Sequence, residues 1–288
     1  MLARLDAREL AGTDLAHLWA ILQEDLADPE AARRRKLEAE LGFDPEECQA
    51  EMLNAALQWK EQIGDLALSE LAPAVSSSGH SADLATLGEL ADADGIIGSP
   101  TIRPDDINHL KQGAPWERAV HDARALRRRI GNVANPMPSR ELHELLGLSS
   151  DGLGNWSPPV GRSPAAVAIP THRDHLKFVP RKRNVVGQRF ELARFLGEYL
   201  RPSDEVERWL ASTDLSTSRQ KYQRAFAAEL LCPLDSLLSF LDGDLSSYAI
   251  EEAAANFDVS EQVVTNLLLN NGVIHHHWAQ HLPYQMAA

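Results

Sequence analysis

Apolar residues recur at three- and four-residue spacing along most of this chain, and only two short runs break that rule. This constrains the fold more than any other feature, because a 3.6-residue period buries one face of a helix and cannot serve a strand. Leu15, Leu18, Trp19, Leu22 and Leu26 share one face after a Thr13-Asp14 cap. A polar run occupies 29–40. Pro45 then opens a long helix in which Met52, Leu53, Ala56, Leu57, Ile63, Leu66, Ala67 and Leu71 recur, with Pro73 as its expected end. Residues 76–81, S-S-S-G-H-S, form a flexible linker by composition. A further helical piece over 83–93 leads into a loop with Gly95, Gly98, Pro100 and Pro104, and a division between two halves is expected near residue 112.

The second half opens with a helix over 116–130, whose apolar face is Ala119, Val120, Ala123, Leu126 and Ile130. A short helix begins at Ser139 and stops at Gly147. The Gly- and Pro-rich stretch 151–164 reads as loop. The two exceptions to helical spacing follow: A-A-V-A-I-P at 165–170 and H-L-K-F-V-P at 175–180, short and bounded by proline or turn residues, read as strands. Helices are then expected over 189–200, 216–231, 234–241, 250–256 and 260–269. The order predicts an α+β fold, mostly helical, with a small β-sheet.

Composition narrows the function classes. The chain has 288 residues, 44% of them hydrophobic and 24% charged, as in globular domains. Its longest apolar run is far short of the roughly 20 residues of a membrane span, and acidic residues within the first turns do not make a secretory signal. Cys48 and Cys232 are far apart and are expected to be reduced, buried thiols of a cytoplasmic protein. The net charge of −14 is uneven: residues 1–95 hold 20 acidic and 7 basic side chains. That acidity argues against broad nucleic-acid binding. Over 171–194 the sign reverses, with Arg173, Lys177, Arg181, Lys182, Arg183, Arg189 and Arg194 against Asp174 and Glu191. This basic stretch, with His172 and His175 beside it, is a candidate surface for one anionic partner, the chain's own N-terminal region among them.

The stretch R-F-E-L-A-R-F-L-G-E-Y-L at 189–200 has the apolar frame of a helix that in zinc peptidases carries H-E-x-x-H. There two histidines at i and i+4 hold Zn²⁺ and the glutamate serves as general base. Here Arg194, Phe195 and Glu198 stand at those three positions. Other features fall in order around it: P-W-E-R-A at 115–119 opening a helix that ends in arginines, L-L-G-L at 145–148, the two strands, F-A-A-E-L-L-C-P at 226–233 and A-A-N-F-D-V-S-E-Q-V-V-T-N-L-L at 254–268. Taken together, the span from about Pro115 to Ile274 resembles the ImmA/IrrE family of metallopeptidase-like regulators.

That resemblance implies a zincin-like domain over 113–274, after an acidic helical region over 1–112 and before a histidine-containing tail over 275–288. It also implies a third metal ligand just before F-A-A-E-L-L. The segment R-Q-K-Y-Q-R-A at 219–225 holds no acid there, and none occurs between Asp214 and Glu229. Arg cannot ligate a cation and Phe cannot move a proton. The expectation is therefore a filled former active site in which Arg194 and Glu198 face each other at i, i+4, with Tyr222 and the basic stretch lining the retained groove. No cofactor is expected. Zinc belongs to an alternative, a metallo-endopeptidase whose ligands come from elsewhere, such as His172 and His175. The tail histidines His275, His277 and His281 are weak metal candidates, since adjacent histidines do not converge on one ion from a helix. The partner that the resemblance implies is another protein, such as a transcriptional repressor or a toxin–antitoxin component. A third reading, a DNA-associated regulator, would use Arg181, Lys182 and Arg183. The helix pair over 250–269 resembles a helix-turn-helix but carries no Lys or Arg from 260 to 271 to meet phosphate, and is read as structural.

Overall fold

The computed structural model describes residues 14–44, 46–75, 83–149, 152–153, 156–157, 163–172, 174–202 and 209–275. The linker expected over 76–81 lies outside them, as does nearly all of the loop over 151–164. The chain divides into two compact units, Met1–Leu87 and Gly88–Ala288. The division expected near residue 112 therefore falls about 25 residues too late, and the reason is strand pairing, described below.

The first unit is helical: α1 (Asp14–Ala27), α2 (Pro29–Glu40), α3 (Ala50–Ile63) and α4 (Asp65–Val75). The polar run over 29–40 is a helix after all. Asp28 caps it by accepting from Glu30 N–H, and Pro29 stands at its first position, where no N–H is needed. Only Leu37 and Glu38 on it are buried, so apolar periodicity could not betray it. The long helix expected over 45–73 is two helices. Gly64, at φ 90, breaks it, and α4 runs two residues past Pro73. The core of this unit includes Leu37, Leu41, Leu53, Ile63, Leu68 and Leu71. Of the face expected on α1, Leu15 and Leu18 are exposed. Cys48 is only partly buried, whereas Cys232 in the second unit is fully so.

The helix α5 (Ala85–Asp92) leads into the second unit, which contains β1 (Ile96–Gly98), α6 (Pro115–Arg129), α7 (Ser139–Leu146), β2 (Ala165–Pro170), β3 (Leu176–Val179), α8 (Val185–Leu200), β4 (Leu210–Thr213), α9 (Ser218–Leu231), α10 (Leu234–Leu241), α11 (Ser247–Phe257) and α12 (Glu261–Asn270). The expected α+β class, mostly helical with a small sheet, holds. The sheet has four strands rather than two, in the order β1-β3-β2-β4, and every neighbouring pair is antiparallel. The strand β1 lies in what reads as a Gly- and Pro-rich loop. Ile96 pairs with Phe178 and Gly98 with Leu176, which ties residues 96–98 to the second unit. Gly98 is required there, because a Cβ would sit 2.5 Å from the Leu146 carbonyl.

One hydrophobic core runs through this unit, from Leu126 on α6 and Phe178 on β3 to Phe195 and Leu196 on α8, Phe226 on α9 and Leu268 on α12. The helices α8 and α9 approach closely at Gly197, where a Cβ would lie 2.5 Å from the Phe226 ring. The glycine in R-F-E-L-A-R-F-L-G-E is thus a packing requirement between two helices. No helix among the described residues is long and apolar enough to cross a membrane.

Candidate functional site

The helix α8 starts at Asn184, whose side chain accepts from Gly187 N–H at 2.6 Å. From Arg189 to Leu200 it is buried except for parts of Phe190 and Tyr199. A helix this deep must provide a partner for each charge it carries, because burying a bare ion costs several kcal/mol. It carries four: Arg189, Glu191, Arg194 and Glu198.

Arg194 is 3% exposed. Its Nη2 donates to Thr213 O at 2.8 Å, to Gln220 Oε1 at 2.5 Å and to Gln223 Oε1 at 3.3 Å. Burial, then the charges of Arg224 and Arg181, push its pKa down to about 9, with Glu191 and Asp214 offsetting part of this. It therefore stays a cation at neutral pH. Glu198 is 1% exposed. Its Oε2 accepts from Gln223 Nε2 at 2.8 Å, and its Oε1 from Arg219 Nη2 at 2.6 Å and Arg201 Nε at 3.1 Å. Arg194 and Glu198 do share one buried site, but the amide of Gln223 stands between them, accepting from the first and donating to the second. The third position, Phe195, packs on Phe178 with ring centroids 5.8 Å apart.

The other two charges on α8 tie it to its surroundings. Arg189 donates from Nη1 to the carbonyls of Phe257 at 3.1 Å and Asp258 at 2.6 Å, and from Nη2 to the carbonyl of Met137. It thereby caps the C-terminal end of α11. Glu191 accepts from Arg181 Nε at 2.8 Å and from the backbone N–H groups of Arg181 and Lys182 at 2.8 and 3.0 Å. Arg181 also grips Asp214 with both terminal nitrogens, at 2.9 and 2.5 Å.

The basic stretch divides between the interior and the surface. Arg181, Arg189 and Arg194 turn inward, and Lys177 Nζ donates to the carbonyls of Ala91 and Ala93 at 2.7 and 2.9 Å. Lys182, Arg183, His172 and His175 are exposed, with His175 Nδ1 donating to the His172 carbonyl at 3.1 Å. Arg173 lies outside the described residues, as do His277 and His281; His275 is exposed. Among the described residues no group of three or more His, Cys, Asp or Glu side chains could hold a metal ion.

Tyr222 faces a different cluster. Its hydroxyl donates to Asp122 Oδ2 at 2.7 Å. Asp122, 2% exposed, also has His109 Nδ1 at 2.9 Å and His121 Nδ1 at 3.3 Å, while His109 Nε2 meets the Pro104 carbonyl at 2.9 Å. Burial, then the charge and hydrogen bond of Asp122, push the Tyr222 phenol well above its ordinary range, so it remains a hydrogen-bond donor. The cluster pins the segment before α6 onto the α6–α9 pair. Sequence reasoning missed it, and also missed Gln220, Gln223, Thr213 and Arg219 as the partners of Arg194 and Glu198. The i, i+3 spacing of Gln220 and Gln223, which puts both amides on one helix face, was the available signal.

Asp214 gives a pH test of this network. Burial pushes its carboxyl upward, but the hydrogen bond and charge of Arg181, joined by Lys182 and Arg194, hold it below the ordinary range. A carboxyl depressed in the folded state adds stability at pH values above its unfolded pKa of about 3.9, and that stability is lost as pH falls through the lower folded value. Melting curves between pH 6 and pH 2 (values set by that carboxylate window) are expected to show a smaller acid-induced fall in Tm for Asp214→Asn than for the wild type. Parallel curves would contradict the pairing.

Comparison with known proteins adds no family: no family model, no curated protein and no solved structure matches this chain.

Proposed function

We propose that this chain is a non-catalytic regulatory or protein-interaction module, an ImmA/IrrE-like pseudo-metallopeptidase that works in the cytoplasm with another protein as its partner. The observation that carries this reading is the state of the three positions in the former H-E-x-x-H frame. Arg194, Phe195 and Glu198 are each at most 3% exposed. The guanidinium donates from Nη2 to three neutral oxygens, the carboxylate is engaged by Gln223, Arg219 and Arg201, and the ring is packed. A zinc centre needs three lone-pair donors converging on an ion that keeps an open position. Here a fixed cation already occupies the helix, and the one carboxylate beside it is saturated by other donors.

A regulator of this kind acts by what it binds, as the resemblance to regulators of repressors and toxin–antitoxin components suggests. Its stability should not depend on metal. A thermal melt with excess chelator, and one with added Zn²⁺, are expected to superimpose on the untreated curve. A ligand bound only by the folded state would add about 2.7 kcal/mol at 100 times its Kd, so a bound metal would show as a drop in Tm on chelation. Such a drop would remove this reading in favour of a metallopeptidase with other ligands.

A further inference from the structure

Among the described residues, the strand β4 is the last of the sheet and pairs only with β2, through Ala165↔Thr213, Ala166↔Ser212, Val167↔Ala211 and Ala168↔Leu210. In an antiparallel ladder, alternate residues aim their N–H and C=O groups at the neighbour and away from it. An outer strand therefore offers a row of backbone groups to any extended chain that can reach them.

On β4 that row is already bonded to side chains. The Ala211 carbonyl accepts from Gln220 Nε2 at 3.1 Å and from Gln223 Nε2 at 2.8 Å. The Thr213 N–H donates to Gln220 Oε1 at 2.8 Å, and the Thr213 carbonyl accepts from Arg194 Nη2 at 2.8 Å. Ala211 and Thr213 are alternate residues, so these are the groups that point away from β2. The Gln220 side chain reproduces what a neighbouring strand would supply, since its primary amide offers a donor to one residue and an acceptor to the next but one. Gln220 is 0% and Gln223 1% exposed, and all four residues of β4 are buried.

We infer that Gln220 and Gln223 stand in for a fifth strand and close the β4 edge to an extended polypeptide, whether a separate peptide or the same strand of a second copy of this chain. The inference does not rest on the regulatory reading. It follows from backbone groups and two amides, and it would hold for an enzyme on this fold as well. It adds that a partner of this chain is not captured by strand addition at β4.

Amide exchange of the wild-type protein, read by NMR at Thr213, is the first test. A sealed edge predicts exchange at least about 100-fold slower than an unstructured amide, as for hydrogen-bonded groups in a stable element. Exchange at the unstructured rate would overturn the inference, and this arm needs no variant. The second test is the double variant Q220M/Q223M, which keeps side-chain length and removes both amides. It is expected to speed exchange at Thr213 at least about tenfold, an opening local to that edge, with Phe178 on central β3 unchanged. Sedimentation equilibrium then reports whether a second copy pairs at the opened edge. Fluorescence anisotropy with a labelled peptide A-A-V-A-I-P, the β2 sequence that pairs with β4 in the fold, reports a separate strand. Tighter association than wild type in either arm supports the seal and identifies the source of the strand. A folded variant that gains neither form of association overturns it.

Discussion

Replacing Glu198 by alanine is expected to lower the unfolding free energy by about 3–5 kcal/mol, the loss seen when one member of a buried ion pair is removed and the other is left behind. Arg219 is only 8% exposed and loses the carboxylate that its Nη2 meets at 2.6 Å. Gln223 loses its acceptor at 2.8 Å. Such a loss is a large share of the 5–15 kcal/mol typical of a domain. It should appear as a Tm fall of about 10 °C, since 1 kcal/mol moves a domain of this size by about 2–4 °C. Arg194→Met is expected to lose less, because the partners left behind are neutral oxygens, one of which, Gln220 Oε1, keeps the Thr213 N–H. Chemical denaturation of both variants measures the difference. A Glu198→Ala loss under about 1 kcal/mol, the range of exposed pairs, would mean that water reaches this carboxylate.

The second large effect is expected at Arg189, where alanine should cost about 3 kcal/mol or more, since hydrogen bonds to charged groups contribute about 1.5–3 kcal/mol each. The guanidinium binds the carbonyls of Met137, Phe257 and Asp258. Its loss uncouples the start of α8 from the end of α11 and from the segment before α7. A urea titration should show a lower midpoint for Arg189→Ala. A variant that unfolds as the wild type does would return Arg189 to the surface role its sequence context suggests.

The same residue shows where sequence reasoning succeeds and where it stops. The helices of the second unit were legible because their apolar residues keep a 3.6-residue period and their ends carry signals, such as Gly147 closing α7 in the left-handed region at φ 63 and Ser260 capping α12. The strands β2 and β3 were legible from proline-bounded apolar runs. The strands β1 and β4 were not, because three or four residues carry no period and their strand character comes from pairing with distant residues. The helix α2 was hidden for the opposite reason, being polar on nearly all sides. Charges misled most. Seven cations within 24 residues read as a surface, yet three of them point inward, because a buried arginine with carbonyl partners looks no different in sequence from an exposed one. The helix carrying Arg194, Phe195 and Glu198 was readable from the start. The surroundings of Arg194, two amides on the edge of a strand, depended on β4, which sequence reasoning did not find.

The metal content of tag-free protein purified without chelator, determined by inductively coupled plasma mass spectrometry against protein concentration, distinguishes a filled site from a working metal centre. No stoichiometric zinc is expected if the proposed reading holds, with Arg194 bonded to the Thr213 carbonyl and Glu198 engaged by Gln223 and Arg219. One tightly held zinc per chain would contradict it.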